Sequence, residues 1–213
     1  RGIEQQGDDD MRIGQACQVI AQGRGDRVIV ATMGAMFALD ALGIAERRLS
    51  SVPLMGGAAS LALGLSLARP DIGTIVIDGD ASLLMQLGGL VSVADNRPRR
   101  FLHFVVHNGT QFTGASNLAV PGGQEVDFCA MARAAGYRSA HRFDSADTLT
   151  KAMPSLLDEE GPTFVTLVVS PEGSQFGAER PQPEMPDRQF ARMGIEAEHL
   201  AGWYATSAGE ALQ

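Results

Sequence analysis

Two short stretches carry residue types that could hold a hard cation together with an anion. Asp78-Gly79-Asp80-Ala81-Ser82 follows one apolar run, and Asn108-Gly109-Thr110 follows another. The Asp80 carboxylate, the Asn108 side-chain amide and a main-chain carbonyl in the second turn would form an all-oxygen set. Mg²⁺ takes such ligands, uses few protein carboxylates and leaves positions for phosphate and water. A helix starting near Ala81 would turn unpaired N–H groups toward a phosphate, and Ser82 could add a hydroxyl. A third turn, Thr32-Met33-Gly34, follows a third apolar run. Taken singly, Asp-Gly and Asn-Gly are ordinary turn dipeptides, and Thr32 reads equally well as a helix N-cap. Their conjunction at successive strand ends is what points to a diphosphate–metal site. Gly23-Arg24-Gly25 does not compete, because it follows a helix and precedes a strand, the reverse of a dinucleotide turn.

The elements that must position these turns can be read from the apolar periodicity. Ile13, Ala16, Cys17 and Ile20 follow helical spacing. Strands are expected over 27–32, 74–77, 101–106 and 163–169, with a short one near 137–141. Helices are expected over 34–42, 56–68, 81–94, 127–135 (capped by Asp127) and from Asp144 or Ser145 to about 158. Residues 44–54 look irregular, and 110–125 reads as a long loop. The continuous apolar strand 74–77 suits a strand covered on both faces. Alternating strands and helices predict a three-layer α/β/α domain with a mostly parallel sheet, and ligands on such sheets bind at the carboxyl ends of the strands. The domain is expected over 1–170, with 171–213 as an arm or tail that packs on it or on a partner and carries one helix from about 188 to 200.

Composition narrows the class. The chain has 213 residues, 45% hydrophobic, with a net charge of -8. That charge disfavours nucleic acid and anionic membrane as partners. Cys17 and Cys129, the two cysteines, fall on apolar helix faces and read as buried free thiols, not as a metal site. No apolar run approaches the roughly 20 residues of a membrane span. The polar opening stretch lacks a secretory pattern, so a soluble cytoplasmic protein is expected.

IDGDASLLMQLGGL, followed one helix and one strand later by HNGT, resembles the thiamine-diphosphate motif of Gly-Asp-Gly and a downstream Asn-Asn. The run from Arg27 to Val169, including MGGAASLALGLSLARP, is similar to the cofactor-binding domain of phosphonopyruvate decarboxylase and of the sulfopyruvate decarboxylase β subunit. The resemblance implies thiamine diphosphate and Mg²⁺ as cofactors. It implies Asp80, Asn108 and the Thr110 main-chain oxygen as metal ligands, with Thr32, Gly79, Ala81 and Ser82 lining the diphosphate. Met55 matches the apolar residue that wedges the cofactor into its V shape, and Pro53 matches the carbonyl that meets the aminopyrimidine. Gln111 and Thr113 are candidates to touch substrate.

Two positions depart from the pattern. Ala81 replaces the third motif glycine, which is acceptable only at negative φ. His107 replaces the first asparagine, a position that does not ligate metal. The implied activity is that of a 2-oxo acid decarboxylase subunit. Its activating glutamate would lie on a separate pyrimidine-binding α subunit, in a hetero- or homo-oligomer. An acetolactate-synthase-like carboligase subunit and a non-catalytic cofactor-binding subunit are the alternatives. A ferredoxin-linked oxidoreductase subunit is disfavoured by the lack of clustered cysteines.

Overall fold

The computed structural model describes residues 10–52, 54–173, 181 and 186–207. Strands β1 (Val28–Ala31), β2 (Arg48–Ser50), β3 (Thr74–Gly79) and β4 (Phe101–His107) share a six-stranded sheet with β7 (Ser139–Phe143) and β8 (Thr163–Val168). The order is β2-β1-β3-β4-β8-β7, and every pairing is parallel. Helices α1 (Ile13–Gly23), α2 (Met33–Ala41) and α7 (Ala146–Asp158) cover one face. Helices α3 (Ala58–Ala68), α4 (Asp80–Met85), α5 (Gly88–Asn96) and α6 (Phe128–Ala135) cover the other, joined by α8 (Pro186–Ser207). This is the expected three-layer α/β/α architecture. Val28, Val30 and Val76 feed one core, and Ile29, Ala31, Ile75 and Ile77 the other. Burial on both faces is why these strands read as unbroken apolar runs. After β2 the chain returns to the far side of β1, so the strand order reverses between β1 and β3. That reversal opens a crevice at the carboxyl ends of the strands.

Asp127 caps α6 as expected, accepting from the Ala130 N–H at 2.8 Å. Both cysteines are free and buried. Among the described residues no helix is long and apolar enough to cross a membrane.

Five local expectations need correction. The helix expected over 81–94 is two helices, broken where Gln86 leaves helical geometry ahead of Gly88-Gly89. Adjacent glycines weaken helix continuation. The irregular stretch 44–54 contains β2, hidden because one of its three residues is arginine. Arg48 is buried there through ion pairs with Asp40 at 2.7 Å and Glu196 at 3.2 Å. Glu196, from α8, also accepts the Ser50 N–H at 2.5 Å and so closes the free edge of the sheet. The strand near 137–141 begins two residues later, at Ser139, because Tyr137 turns into the core. The loop 110–125 holds a small hairpin, β5 (Thr110–Gln111) with β6 (Leu118–Ala119). The tail helix is also longer than expected and docks through Leu200, Met193, Trp203 and Tyr204.

Candidate active site at the strand carboxyl ends

The β3 and β4 ends lie side by side, with Gly79 in register with Val106. Asp80 opens α4 and is buried, 2% exposed. Its Oδ1 accepts from the Ala81 N–H at 2.7 Å, and its Oδ2 from the Gly109 N–H at 2.6 Å. The second bond joins the two turns singled out in the sequence. It requires the Gly109 N–H to face back toward α4, which Gly109 allows by adopting φ +70°. Burial pushes the Asp80 carboxyl above the usual aspartate range, and the N–H groups of Gly109 and Ala81 oppose that shift. No arginine or lysine among the described residues pairs with it.

Asn108 and Thr110 form a compact oxygen-rich knot. Asn108 Oδ1 accepts from the Thr110 N–H at 2.9 Å and from its hydroxyl at 3.1 Å. Asn108 Nδ2 donates to Thr113 Oγ1 at 3.0 Å, and that hydroxyl lies 3.4 Å from the Thr110 carbonyl. Thr113 thus braces the candidate ligands. No cluster of three or more His, Cys, Asp or Glu side chains that could hold a metal occurs among the described residues. One carboxylate with amide and carbonyl oxygens is instead the kind of set that a hydrated Mg²⁺ uses.

The remaining candidates divide. Gly79 is the extended N-cap of α4, at φ -109°. Ala81 is helical and absent from the positive-φ positions, so its methyl brings no backbone strain. Ser82 Oγ accepts from the Gly56 N–H at 2.8 Å, which ties the Met55-Gly56 turn to α4. Its hydroxyl hydrogen stays available to an acceptor. Gly56 sits at φ +82°, and a Cβ there would meet Gln86 Cβ at 2.7 Å, so the turn rests directly on the end of α4. Met55 is 40% exposed at the surface of that turn. Thr32 sits at the N-cap of α2 without a side-chain cap bond; its hydroxyl donates to the Ile77 carbonyl at 3.3 Å. Pro53 lies outside the described residues.

His107 is fully buried, edge-on to Phe128 at 4.9 Å. Its Nε2–H donates to the Gly123 carbonyl at 2.8 Å and fastens the 109–125 loop to β4. Sequence reasoning missed Gly109 and Thr113 as the groups that orient Asp80 and Asn108. The glycine of the Asn-Gly pair was the available signal for the first; Thr113 was singled out only as a candidate to touch substrate, and nothing in the sequence marked it as a brace for Asn108.

The geometry defines a parallel α/β domain with an oxygen-lined site at its strand ends. The chain belongs to the thiamine pyrophosphate enzyme family: residues 49–167 match its C-terminal TPP binding domain. It is 36% identical over 160 residues to phosphonopyruvate decarboxylase of Streptomyces hygroscopicus, covering 74% of this chain and 38% of that one. The corresponding protein of Streptomyces viridochromogenes is 34% identical, with 80% and 42% covered. Sulfopyruvate decarboxylase subunit beta of Methanothermobacter thermautotrophicus is 34% identical, with 55% and 59% covered. The chain thus spans 38% to 59% of the length of these relatives. A solved structure of a candidate thiamin diphosphate-dependent enzyme from Mycobacterium smegmatis has the same fold, with a TM-score of 0.64 at 21% identity over 76% of this chain and 32% of that one.

Proposed function

We propose that this chain is the diphosphate- and Mg²⁺-binding part of a thiamine-diphosphate-dependent 2-oxo acid decarboxylase. The observation that carries the reading is Asp80: a buried carboxylate that pairs with no arginine or lysine among the described residues, bonded to the turn that presents Asn108 and Thr110. Such a group is costly alone and favourable beside a metal ion. Asp80 and Asn108 would ligate Mg²⁺ through side-chain oxygens, and Thr110 through its carbonyl. Gly79, Ala81 and Ser82 would border the diphosphate, with Ser82 donating its free hydroxyl hydrogen. Since α4 has six residues, a helix dipole would give the diphosphate little help, and the metal and local N–H groups would hold it.

When bound, thiamine diphosphate supplies the electron sink for loss of CO₂ from a 2-oxo acid. Met55 would press on the cofactor from the turn held by Ser82, Pro53 would offer its carbonyl, and Thr32 would line the crevice from β1. The substrate class suggested by the relatives is a 2-oxo acid with a phosphonate or sulfonate group.

The activating glutamate would come from a separate pyrimidine-binding α subunit, in keeping with relatives named as beta subunits. Exposed Leu54, Met55, Met85, Leu87 and Val91, on the 54–55 turn, α4 and α5, offer that partner an apolar face. Residues 171–213 would serve as an arm of the 1–170 domain, with α8 as its docked part.

The test is binding and turnover in the presence of the pyrimidine-binding partner. Thiamine diphosphate affinity should depend on Mg²⁺ and collapse in Asp80→Ala and Asn108→Ala. Wild-type affinity in both variants would overturn the metal assignment. Release of CO₂ with formation of an aldehyde from phosphonopyruvate or sulfopyruvate supports decarboxylation; coupling of two substrate molecules without free aldehyde would overturn it.

A further inference from the structure

Behind the Asp80 turn, on the α6 side of the sheet, three buried polar side chains stand in line. Asp78 and His103 are 1% and 0% exposed, and Tyr137 is 5% exposed. His103 pairs in register with Val76 and Asp78 with Val105, so His103 faces Asp78 diagonally across β3 and β4. His103 Nδ1 is 2.9 Å from the Tyr137 hydroxyl, and Nε2 is 3.8 Å from Asp78 Oδ2. Burial, with Asp78 nearby, pushes the Tyr137 phenol well above its ordinary range. The phenol therefore keeps its proton; in the tautomer where it donates to Nδ1, the ring hydrogen sits on Nε2, on the side that faces Asp78. Phe164 meets the imidazole edge-on at 5.1 Å and Tyr137 at 5.6 Å, walling the line with aromatic rings.

The other Asp78 oxygen accepts from the Gly79 N–H at 2.8 Å. Gly79 is the extended cap from which the chain enters α4 at Asp80. The orientation of Asp78 is thus transmitted to Asp80 through a single intervening residue. A core needs no carboxylate for cohesion, since apolar side chains fill the same volume without the desolvation penalty. A carboxylate faced from behind by an imidazole at 3.8 Å, beyond hydrogen-bond reach, and gripping the next peptide in front is suited to fixing a turn.

We propose that Tyr137, His103 and Asp78 form a positioning array that sets the Asp78-Gly79-Asp80 turn, and through it the affinity of the site for Mg²⁺. This rests on the reading of Asp80 as a metal ligand. None of the three touches the metal; they act through the Gly79 peptide. The array shares the logic of hydrogen-bonded groups behind metal ligands, whose loss typically weakens binding by about 10- to 100-fold.

The test is calorimetric titration of Mg²⁺ at saturating thiamine diphosphate, with the pyrimidine-binding partner present, alongside melting temperatures. Asp78→Asn should weaken Mg²⁺ by about 10-fold or more, and Tyr137→Phe and His103→Gln by smaller factors. Because the three act as one unit, Asp78→Asn combined with Tyr137→Phe should bind no worse than Asp78→Asn alone. His141→Gln, a histidine paired at the opposite edge of the sheet, should leave Mg²⁺ affinity unchanged. Lowered melting temperatures with wild-type Mg²⁺ affinity, or losses that simply multiply, overturn the array. If a variant at Asp78 or His103 does not fold, Tyr137→Phe, which removes one oxygen, decides alone. Asp80→Ala separates the two ideas: if it too binds Mg²⁺ normally, the metal reading has failed, and not only the array.

Discussion

The two edges of the sheet treat their charges in opposite ways. At the amino edge, charges are matched in pairs: Arg69 with Asp71 at 2.6 Å, Arg99 with Glu160 at 3.1 Å and Arg100 with Asp26 at 3.3 Å. Glu159 there accepts from Ser139 at 2.6 Å and Thr163 at 3.2 Å and pairs with His141 at 3.0 Å. Burial works to raise the Glu159 carboxyl, but these partners outweigh it and hold it below the usual range. At the carboxyl edge, backbone N–H groups and the nearby His107 imidazole oppose the burial of Asp80, and burial wins. A carboxylate whose partners are already in place belongs to the fold. One whose pKa burial raises despite its neighbours is the place where the proposed metal ion would enter.

Chelation should reveal the contrast most strongly. With thiamine diphosphate present, Mg²⁺ at about 100 times its Kd should stabilise the protein by about 2.7 kcal/mol. The gain should vanish with a chelator and be missing in Asp80→Ala. An equal thermal shift in Asp80→Ala would erase the distinction between the edges.

Glu159→Gln should behave the other way, costing about 1 kcal/mol of stability at neutral pH while leaving Mg²⁺ affinity alone. Its pH signature sharpens the point. The folded pKa of Glu159 is lowered, so its contribution is present above the ordinary glutamate range and is lost as pH falls through the lowered value. The gap between wild type and Glu159→Gln in pH-dependent melting should therefore close in acid. The Asp80 shift has the opposite sign: the metal-free fold regains stability as pH falls and that carboxyl takes up its proton. A gap between wild type and Glu159→Gln that persists unchanged in acid would break the assignment.

The smallest effect is expected at Ala81. Because Ala81 is already helical, Ala81→Gly should cost up to about 1 kcal/mol in melting experiments through helix propensity. Cofactor affinity measured by titration should stay close to wild type. A large gain in affinity would show that the methyl obstructs the diphosphate after all.

Much of this was legible beforehand because it depends on local pattern. Fully buried parallel strands leave apolar runs, and turns at their ends leave Asp-Gly and Asn-Gly. The strand β2 was not legible, since its burial relies on Asp40 and on Glu196, a residue 148 positions from Arg48. Ser82 was read as a phosphate donor from its place after the motif. Its bond to Gly56 could not be foreseen, because the two residues are 26 positions apart. His103 gave no signal, since a histidine in an apolar strand does not announce which partners lie across the sheet.

The sequence by itself determined the three-layer class and singled out two strand-end turns, with the oxygen-bearing Asp80 and Asn108, as the candidate site. Those follow from periodicity and residue type. Only the tertiary structure decided which groups grip one another: Gly109 on Asp80, Gly56 on Ser82, His107 on Gly123 and Tyr137 on His103. The physical reason is that hydrogen-bond partners are chosen by distance in space, and parallel β topology brings together residues whose separation along the chain carries no mark of the meeting.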